Sequence, residues 1–355
     1  MKRIFISAGE PSGDLRASEL VREIKRLDSS VHFYGMGGPL MEAEGVHLIK
    51  RIGESSVVGV QEAIAHIPSL LRDFRELYHR ALEADAIILV DYPGYHLLLA
   101  GKLMNAGKDV FYYILPQIWA WGRFRAGLLR RMKGLYSILP FERDFFRKLG
   151  MNVKYFGHPL VQLYGRHIDA MERKGNPTIG FLPGSRRDEI RRLVPRMLRI
   201  KSILERRFPE AHFYMSLVDD SISVREEENM DVVRGKALEI MKASDVLVVA
   251  SGTASLEAGI LGKPAVVLYA MSESTWILAN IFARVRYVSL TNLILGEEVY
   301  PEFVQHINPV KVADSVEDLL SRREEISSRL ELLRNLLGGE NPAGMVAADL
   351  LNYIL

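Results

Sequence analysis

The segment AIILVDYPG, residues 86–94, is an uninterrupted apolar run that ends in an acid and a turn signal. Runs of this length are typical of strands buried on both faces of a parallel sheet. The same pattern occurs at IFISA (4–8), HFYGM (32–36) and DVFYYIL (109–115), each followed by Gly or Pro residues. Helical spacing of apolar residues follows the first of these runs. Strands that alternate with helices predict an α/β fold with a parallel sheet.

A second series of the same kind begins near Thr178. Its apolar runs are TIGFL (178–182), HFYMSLV (212–218), DVLVVA (245–250) and AVVLYA (265–270). Residues 166–176 between the two series are polar and aperiodic, which favours a domain boundary there. We therefore predict two Rossmann-like, doubly wound α/β domains, residues 1–165 and 166–338, that face a cleft. A C-terminal helix within residues 339–355 has the potential to pack back across the domains.

Composition narrows the class of protein. The 355 residues are 48% hydrophobic and 25% charged, as in ordinary folded proteins, and the net charge is only +2. The absence of cysteine excludes disulfides, thiolate metal sites and a cysteine nucleophile. The N-terminal apolar stretch is too short for a signal peptide, and no apolar run approaches the ~18 residues of a spanning helix. We expect a cytoplasmic protein with at most peripheral membrane contact.

Two loops of the second series have the character of phosphate-binding turns. In LPGSR (182–186), Gly184 permits close approach of the backbone, while Ser185 and Arg186 are donors for phosphate oxygens. Taken alone, this segment is an ordinary strand-to-helix turn with solvated arginines by default, and the presence of a second such loop favours phosphate binding. In SGTASLE (251–257), Ser251, Gly252, Thr253 and Ala254 lie at a predicted helix start. Neither loop is a Walker motif or a GxGxxG fingerprint, so a hydride-transfer cofactor has little support.

Glu257 lies one helical turn after Thr253, and it can accept hydrogen bonds from a ribose diol on that side of the helix. It is equally well explained as an acid favoured by the helix dipole. In the first series, the strand-end loops containing Glu10, Ser12, Gly13 and Asp14, and then Gly37 and Gly38, also fit simple tight turns.

Two further side chains of the first series are candidates for chemistry. Asp91 follows a strongly apolar strand, so its carboxylate is expected at the strand's carboxyl end, where it can accept a proton from a hydroxyl. An Asp that caps the turn before Pro93 is the alternative. His158, in FGHPL, can contact a substrate phosphate or can be a packed core histidine. The histidines show no ligand spacing, so we predict no metal site.

A basic, aromatic segment in the first series is typical of an anionic lipid interface. Its members are Trp119, Trp121, Arg123, Arg125, Arg130 and Arg131. A second stretch, Ile64 to Leu82, has apolar residues at helical spacing, which most helices bury in a core. Nucleic acid is disfavoured as a partner, since acids interrupt the arginine-rich residues 186–207 and no nucleic-acid-binding motif is present.

Taken together and in order, the loops resemble the lipid-A-disaccharide synthase family, inverting glycosyltransferases of GT-B fold. The matching segments are AGEPSGD (8–14), GMGGPLM (35–41), VDYP (90–93), PQIWAW (116–121), LPFE (139–142), GHPL (157–160), LPGSR (182–186), SGTASLE (251–257), PAVVLY (264–269), VSLTNLILG (288–296) and PEFVQ (301–305). The resemblance implies that UDP-2,3-diacylglucosamine and 2,3-diacylglucosamine 1-phosphate are joined into a β-1,6-linked disaccharide with release of UDP. It implies no cofactor, and it implies action on the inner face of the cell membrane.

Residue roles carried over from the resemblance are as follows. Asp91 matches an essential aspartate and is implied as the general base, and Arg186 matches an essential arginine that stabilises the UDP leaving group. The UDP pocket is implied to contain Ser185, Ser251, Gly252, Thr253 and Ala254, with Glu257 on the ribose. The acceptor side is implied to contain Glu10, Ser12, Gly13, Asp14, Gly37, Gly38 and His158.

The chain departs from the family pattern at two places. Residues 92–96 read YPGYH where APDFN is usual, so a second acid is missing at Gly94, and Gln117 replaces a usual serine. Two other functions fit the second-series loops: a related GT-B enzyme, such as a UDP-N-acetylglucosamine 2-epimerase, and a non-catalytic nucleotide-sugar-binding module. The oligomeric state, a homodimer included, is left open by the sequence.

Overall fold

Each apolar run named above forms a strand of a parallel sheet in the computed structural model. The structure describes residues 2–52, 60–120, 122–164, 166–218, 222, 224–226, 228–272 and 286–354, without the side chains of residues 60–70. The chain divides into two units. Unit 1 consists of Met1–Pro159 and Gly338–Leu355, and unit 2 of Leu160–Leu337.

The described part of unit 1 contains a seven-stranded sheet of parallel strands in the order β3-β2-β1-β4-β5-β6-β7. Its central strand β4 is buried on both faces because its side chains, such as Ile87 to Val90, have no polar groups. The strands are β1 (Arg3–Ala8), β2 (His32–Gly37), β3 (His47–Arg51), β4 (Ala86–Val90), β5 (Val110–Tyr113), β6 (Gly134–Ser137) and β7 (Lys154–Tyr155).

Helices connect these strands, and several begin with a proline at their first turn, where the missing amide hydrogen costs little. They are α1 (Pro11–Leu27), α2 (Pro39–Ala43), α3 (Val60–Leu82), α4 (Pro93–Asn105), α5 (Ala126–Leu129), α6 (Pro140–Lys148) and the C-terminal α13 (Pro342–Ile354), with a 3-10 turn at Arg123–Arg125.

Helix α13 packs on α1 within unit 1. Val346, Ala347 and Leu350 are buried in the same core cluster as Leu20 and Ile24. Two polar contacts also hold this helix in place. The carboxylate of Asp349 accepts hydrogen bonds from the Tyr136 hydroxyl (2.8 Å) and from the Lys154 ammonium (2.6 Å). The last helix is therefore part of the core of unit 1.

The described part of unit 2 contains a six-stranded parallel sheet in the order β10-β9-β8-β11-β12-β13. Its strands are β8 (Thr178–Leu182), β9 (His212–Leu217), β10 (Met230–Arg234), β11 (Val246–Ala250), β12 (Ala265–Tyr269) and β13 (Glu302–Val304). Its helices are α7 (Arg187–Arg207), α8 (Ala237–Ala243), α9 (Thr253–Ile260), α10 (Leu290–Leu295), α11 (Pro309–Ser321) and α12 (Arg323–Leu337), with a 3-10 turn at Pro159–Leu163.

The prediction of two Rossmann-like α/β domains is confirmed. In both sheets the order of strands reverses beside the first strand, between β1 and β4 in unit 1 and between β8 and β11 in unit 2. Ligands of such sheets bind outside the carboxyl ends of the strands at this reversal. The loops after these four strands are therefore where a site is expected. Within the described residues, no helix has the length and apolar character to cross a membrane.

Candidate functional site

Asp91 occupies a strained turn at the carboxyl end of β4. Asp91 and Tyr92 have φ angles of 50° and 51°, in the left-handed region, and α4 begins at Pro93. A residue other than glycine pays about 1–3 kcal/mol for this conformation, so the surrounding contacts must hold it. The sequence predicted the position of Asp91 at the strand end, but it contained no signal for two consecutive left-handed residues.

Three hydrogen bonds hold the backbone of Asp91. Its amide donates to the carbonyl of Tyr113 (2.9 Å), the next strand of the sheet. Its carbonyl oxygen accepts from the hydroxyl of Tyr112 (2.6 Å) and contacts Nδ1 of His96 (2.7 Å). Both lone pairs of this carbonyl are thus engaged, and the side chain of Asp91 is left half-buried at the sheet edge.

His96 is fully buried in α4, and burial lowers its pKa from 6.5 to about 4. The ring is therefore neutral at neutral pH. Because a carbonyl oxygen can only accept, Nδ1 must carry the hydrogen that is donated to Asp91. The other nitrogen, Nε2, is then bare and accepts from the hydroxyl of Ser7 in β1, 2.8 Å away. His96 was not among the predicted site residues.

Tyr112 adds an electrostatic link to this turn. Burial raises the pKa of its hydroxyl well above 10, the negative charge of Asp91 raises it further, and the positive charge of Arg125 lowers it. Both charges therefore lie near the Tyr112 hydroxyl. Arg125 was predicted as part of a membrane surface, but it is only partly exposed and lies near the turn that carries Asp91.

Asp14, in the first turn of α1, connects this helix to the start of α2. Its carboxylate is 2% exposed and accepts from the amides of Gly38 (2.8 Å), Leu40 (3.1 Å) and Met41 (3.1 Å). It therefore caps a helix whose own N-terminal residue offers no side-chain cap. Glu10 and Ser12 are exposed at the start of α1, whereas Gly13, Gly37 and Gly38 are buried.

A buried acid that was not among the predicted site residues lies in the first turn of α6. Glu142 is 1% exposed, and its Oε1 accepts from the indole nitrogen of Trp119 (2.9 Å). Burial raises the pKa of Glu142 to about 8, although hydrogen bonds from Trp119 and from the backbone at Leu139 oppose the shift. The only signal in the sequence was its place in the LPFE segment (139–142).

His158 is buried after β7. Burial, with a smaller contribution from the charge of Arg16, lowers its pKa to about 3. This ring is neutral at neutral pH, as a packed histidine would be. Its proposed contact with a substrate phosphate stays a prediction.

The predicted lipid-facing segment is exposed in part. Phe124 is 82% exposed, and Arg123, Arg130 and Arg131 are exposed near it in the chain. Trp119 is half-buried, with its ring edge-to-face on Phe141 at 5.0 Å. The further members, Trp121 and the first part of the 64–82 stretch, lie outside the residues or side chains that the structure describes.

In unit 2, Arg186 lies at the start of α7. Its side chain is 76% exposed and contacts Glu189 at 3.5 Å, and Ser185 beside it is exposed. Arg186 lowers, and Glu189 raises, the pKa of the Tyr269 hydroxyl at the end of β12, although burial dominates that pKa. Tyr269 therefore faces the same loop, and it was not among the predicted site residues.

The second predicted loop of unit 2 begins α9. Gly252, with φ 123°, precedes the helix and has no side chain to cap its amides. The hydroxyl of Ser251 donates to the carbonyl of Val288 (2.7 Å), so its one hydrogen is used, and it can accept from a ligand but not donate. Thr253 is exposed, whereas Ala254 and Glu257 are half-buried. The donors for an anion here are the helix amides and the Thr253 hydroxyl.

The two loops of unit 2 are neighbours. A methyl group added at Gly184 would lie 3.3 Å from the Cβ of Ala250, the last residue of β11. Arg186 and the start of α9 thus lie at one edge of the sheet, at the reversal of strand order. Among the described residues, no group of three or more His, Cys, Asp or Glu side chains is arranged to hold a metal ion.

Comparison with known proteins gives the family. The family model described as lipid-A-disaccharide synthetase matches residues 4–331. The lipid-A-disaccharide synthase of Myxococcus xanthus is 38% identical, over 99% of this chain and 97% of that protein. The lipid-A-disaccharide synthase of Syntrophus aciditrophicus is 34% identical, over 99% of this chain and 98% of that protein.

Solved structures share the fold at low sequence identity. A Staphylococcus aureus MnaA structure with UDP has a TM-score of 0.70 at 11% identity, covering 100% of this chain and 97% of that one. The kitacinnamycin glycosyltransferase has a TM-score of 0.68 at 14% identity, covering 99% and 98%. These likenesses concern the fold. The family match and the close relatives, together with the ordered loops at the strand ends, show that the chain belongs to the lipid-A-disaccharide synthase family of glycosyltransferases.

Proposed function

We propose that this chain carries out its family's glycosyl transfer with Asp91 as the general base and Arg186 on the leaving group. The 6-hydroxyl of 2,3-diacylglucosamine 1-phosphate attacks C1 of the sugar in UDP-2,3-diacylglucosamine. The new C1–O6 bond forms as the bond from C1 to the diphosphate oxygen breaks, with inversion to the β-1,6 linkage. UDP departs, and the hydroxyl proton passes to the Asp91 carboxylate.

The observation that carries the proposal is the position of Asp91. A carboxylate at the carboxyl end of β4, beside the reversal of strand order, is where a doubly wound sheet offers side chains to a ligand. The side chain of Asp91 is half-buried, and three hydrogen bonds hold the backbone of this residue in place. A general base requires such a fixed position, because proton transfer needs hydrogen-bond geometry to the attacking hydroxyl.

The UDP-binding role of unit 2 is supported by charge and by backbone donors. Negative charge accumulates on the diphosphate as the sugar departs, and fixed donors stabilise it. The guanidinium of Arg186 can bind two phosphate oxygens at once, and the uncapped start of α9 presents amides of the kind that bind phosphate. Ser185 and Thr253 add hydroxyls, and Glu257 is proposed to accept from the ribose diol. Unit 1 is proposed as the acceptor domain, where Glu10, Ser12 and His158 contact the acceptor.

Peripheral attachment to the cytoplasmic face of an anionic membrane is the second part of the proposal. Both substrates carry acyl chains, so they reside in a bilayer, and the enzyme must reach its surface. The exposed ring of Phe124 next to Arg123, with Arg130 and Arg131 following, combines an apolar anchor with cations. These residues are proposed as the lipid contact.

The test is an assay of UDP release in detergent, with mass spectrometry of the product. UDP is expected only when both acylated substrates are present, and the product mass should equal that of the joined disaccharide phosphate. Asp91→Asn is expected to lower kcat by roughly 100-fold or more with UDP binding retained. Arg186→Ala is expected to weaken both UDP binding and turnover.

Matched controls are Asp109→Asn and Arg199→Ala, exposed residues of unit 1 and of the body of α7. Both should behave as the parent enzyme. Turnover of UDP-N-acetylglucosamine alone would instead indicate an epimerase. Tight UDP binding without turnover of any lipid acceptor would indicate a binding module.

A further inference from the structure

His96 connects the candidate base to the centre of the sheet. Its Nδ1 contacts the carbonyl of Asp91 (2.7 Å), and its Nε2 contacts the hydroxyl of Ser7 (2.8 Å) in the adjacent strand β1. We propose that His96 is a positioning residue, whose Nδ1–H bond to the Asp91 carbonyl holds the strained turn that aims the Asp91 carboxylate. This inference rests on the proposed role of Asp91 as the base.

The direction of the carboxylate depends on the backbone of this turn. With φ near 50° at both Asp91 and Tyr92, the Cα–Cβ bond of Asp91 points where an ordinary strand-end conformation would not send it. If the turn relaxes, the side chain moves with it. The hydrogen bonds that oppose relaxation are therefore part of the geometry of the base.

The carbonyl of Asp91 accepts hydrogen bonds from two side chains, those of Tyr112 and His96, and these belong to different elements of the fold. Tyr112 donates from β5, where its ring is buried. His96 donates from the first turns of α4, the helix that begins directly after the strained pair. Its ring is fixed on the far side by Ser7, so the contact ties the turn, the helix and β1 together. Both ring nitrogens are engaged, as burial of polar atoms requires, and what distinguishes His96 is that one of its partners is the carbonyl of the strained turn.

The charge state of the ring fits this role. His96 is fully buried and neutral at neutral pH. A neutral imidazole has only one N–H group. Because the Asp91 carbonyl must accept that hydrogen, the ring has a single tautomer, with the hydrogen on Nδ1. The ring also brings no net charge that would lower the basicity of the nearby carboxylate.

The geometry of amide side chains gives a discriminating pair of variants. The Asn amide nitrogen is attached at the γ carbon, as Nδ1 is in histidine, whereas the Gln amide nitrogen is one atom further out, where Nε2 lies. His96→Asn can keep the donor to the Asp91 carbonyl and loses the contact to Ser7. His96→Gln can keep the contact to Ser7 and loses the donor to Asp91.

The experiment measures kcat and KM of the purified full-length chain with both acylated substrates, at a temperature where circular dichroism shows each variant folded. His96→Gln is expected to lose roughly 10- to 100-fold in kcat, the scale of a misplaced catalytic group, with KM for both substrates little changed. His96→Asn is expected to recover most of that loss. Leu98→Ala, an exposed position on the same helix, serves as the control.

The outcomes separate the inference from the function on which it rests. Equal kcat losses in the Asn and Gln variants, or a loss confined to KM or to thermal stability, would overturn the positioning role. Near-parent kcat in the Gln variant would overturn it as well. The proposed base role is judged independently by Asp91→Asn: if that variant retains turnover, the proposed function fails whatever His96 does.

Discussion

The indole nitrogen of Trp119 donates a 2.9 Å hydrogen bond to Oε1 of Glu142, a carboxyl that is 1% exposed. The hydrogen bond from this neutral donor does not offset the free-energy cost of burying a charged carboxylate. The carboxyl therefore keeps its proton to higher pH, and its pKa lies at about 8. The loops after β5 and β6 are thus joined through a group that is mostly protonated at pH 7.

Stability should therefore fall as the pH rises through the range in which Glu142 ionises. The pKa is 4.5 in the unfolded chain and about 8 in the folded one, so the folded state binds more protons between these values. The stabilisation is complete below pH 4.5 and is lost at up to ~1.4 kcal/mol per pH unit toward pH 8. Glu142→Gln, which imitates the protonated acid, should remove this slope in denaturant melts, whereas the exposed control Glu76→Gln should not. An unchanged slope in Glu142→Gln would contradict the assignment.

Acid should destabilise the protein through its buried histidines. Burial lowers the pKa of His96 to about 4 and that of His158 to about 3, from 6.5 in the unfolded chain. Below pH 6.5 the unfolded chain binds more protons, so this stability is complete above pH 6.5 and is lost as the pH falls toward 4. His158→Gln should remove about one proton from the uptake on unfolding between pH 6.5 and 5. The exposed His32→Gln is the control, and equal uptake in all three proteins would be the contrary result.

Gly35 in β2 should not tolerate a side chain. Its φ is 152°, and a methyl group there would lie 1.9 Å from the carbonyl oxygen of Ile6 in the neighbouring strand. This carbonyl oxygen belongs to the backbone, so it cannot move aside as the end of a flexible side chain could. Gly35→Ala should therefore cost more than about 3 kcal/mol of unfolding free energy. Gly127→Ala, where a methyl meets open space in α5, should be neutral or slightly stabilising. Similar melting curves for the two variants would refute the expected clash.

Binding to lipid vesicles should depend on the exposed residues around Phe124. Each arginine near an anionic surface is worth about 1 kcal/mol, so Arg123→Gln should weaken cosedimentation with phosphatidylglycerol vesicles roughly fivefold. Phe124→Ser should weaken it also at high salt, since its contribution is apolar. Arg206→Gln, an exposed position of unit 2, is the control. Unchanged binding in both test variants would exclude this segment as the lipid contact.

The sequence was sufficient for the strongly apolar strands and the loops that follow them, but the shorter or more polar strands β3, β6, β7, β10 and β13 were not predicted. A short apolar run closed by turn residues, such as residues 86–90, is typical of a buried strand, and the loop residues that follow such strands lie at the sheet edge for topological reasons. Asp91, Arg186 and Gly252 were therefore placed correctly at strand ends. The roles of Asp91 and Arg186 in turnover stay predictions.

What the sequence could not supply were pairings between distant residues. Ser7 and His96 are 89 positions apart, and Trp119 and Glu142 are 23 apart, so no local pattern links them. Asp14 was predicted on the acceptor side as a loop residue, yet its carboxylate binds amides of α2. In the sequence, a single buried His or Glu looks the same whether it packs in a core, caps a helix or positions another residue. Only its hydrogen-bond partners in the structure distinguish these roles.

The placement of α13 against α1 has a consequence for biosynthesis. The ribosome releases residues 342–354 after all of unit 2, although these residues belong to the hydrophobic core that contains the first strand and helix. Unit 2, by contrast, is one continuous stretch and can acquire its own core before translation ends. Unit 1 therefore cannot complete its core until α13, on the far side of unit 2 in the chain, has been synthesised.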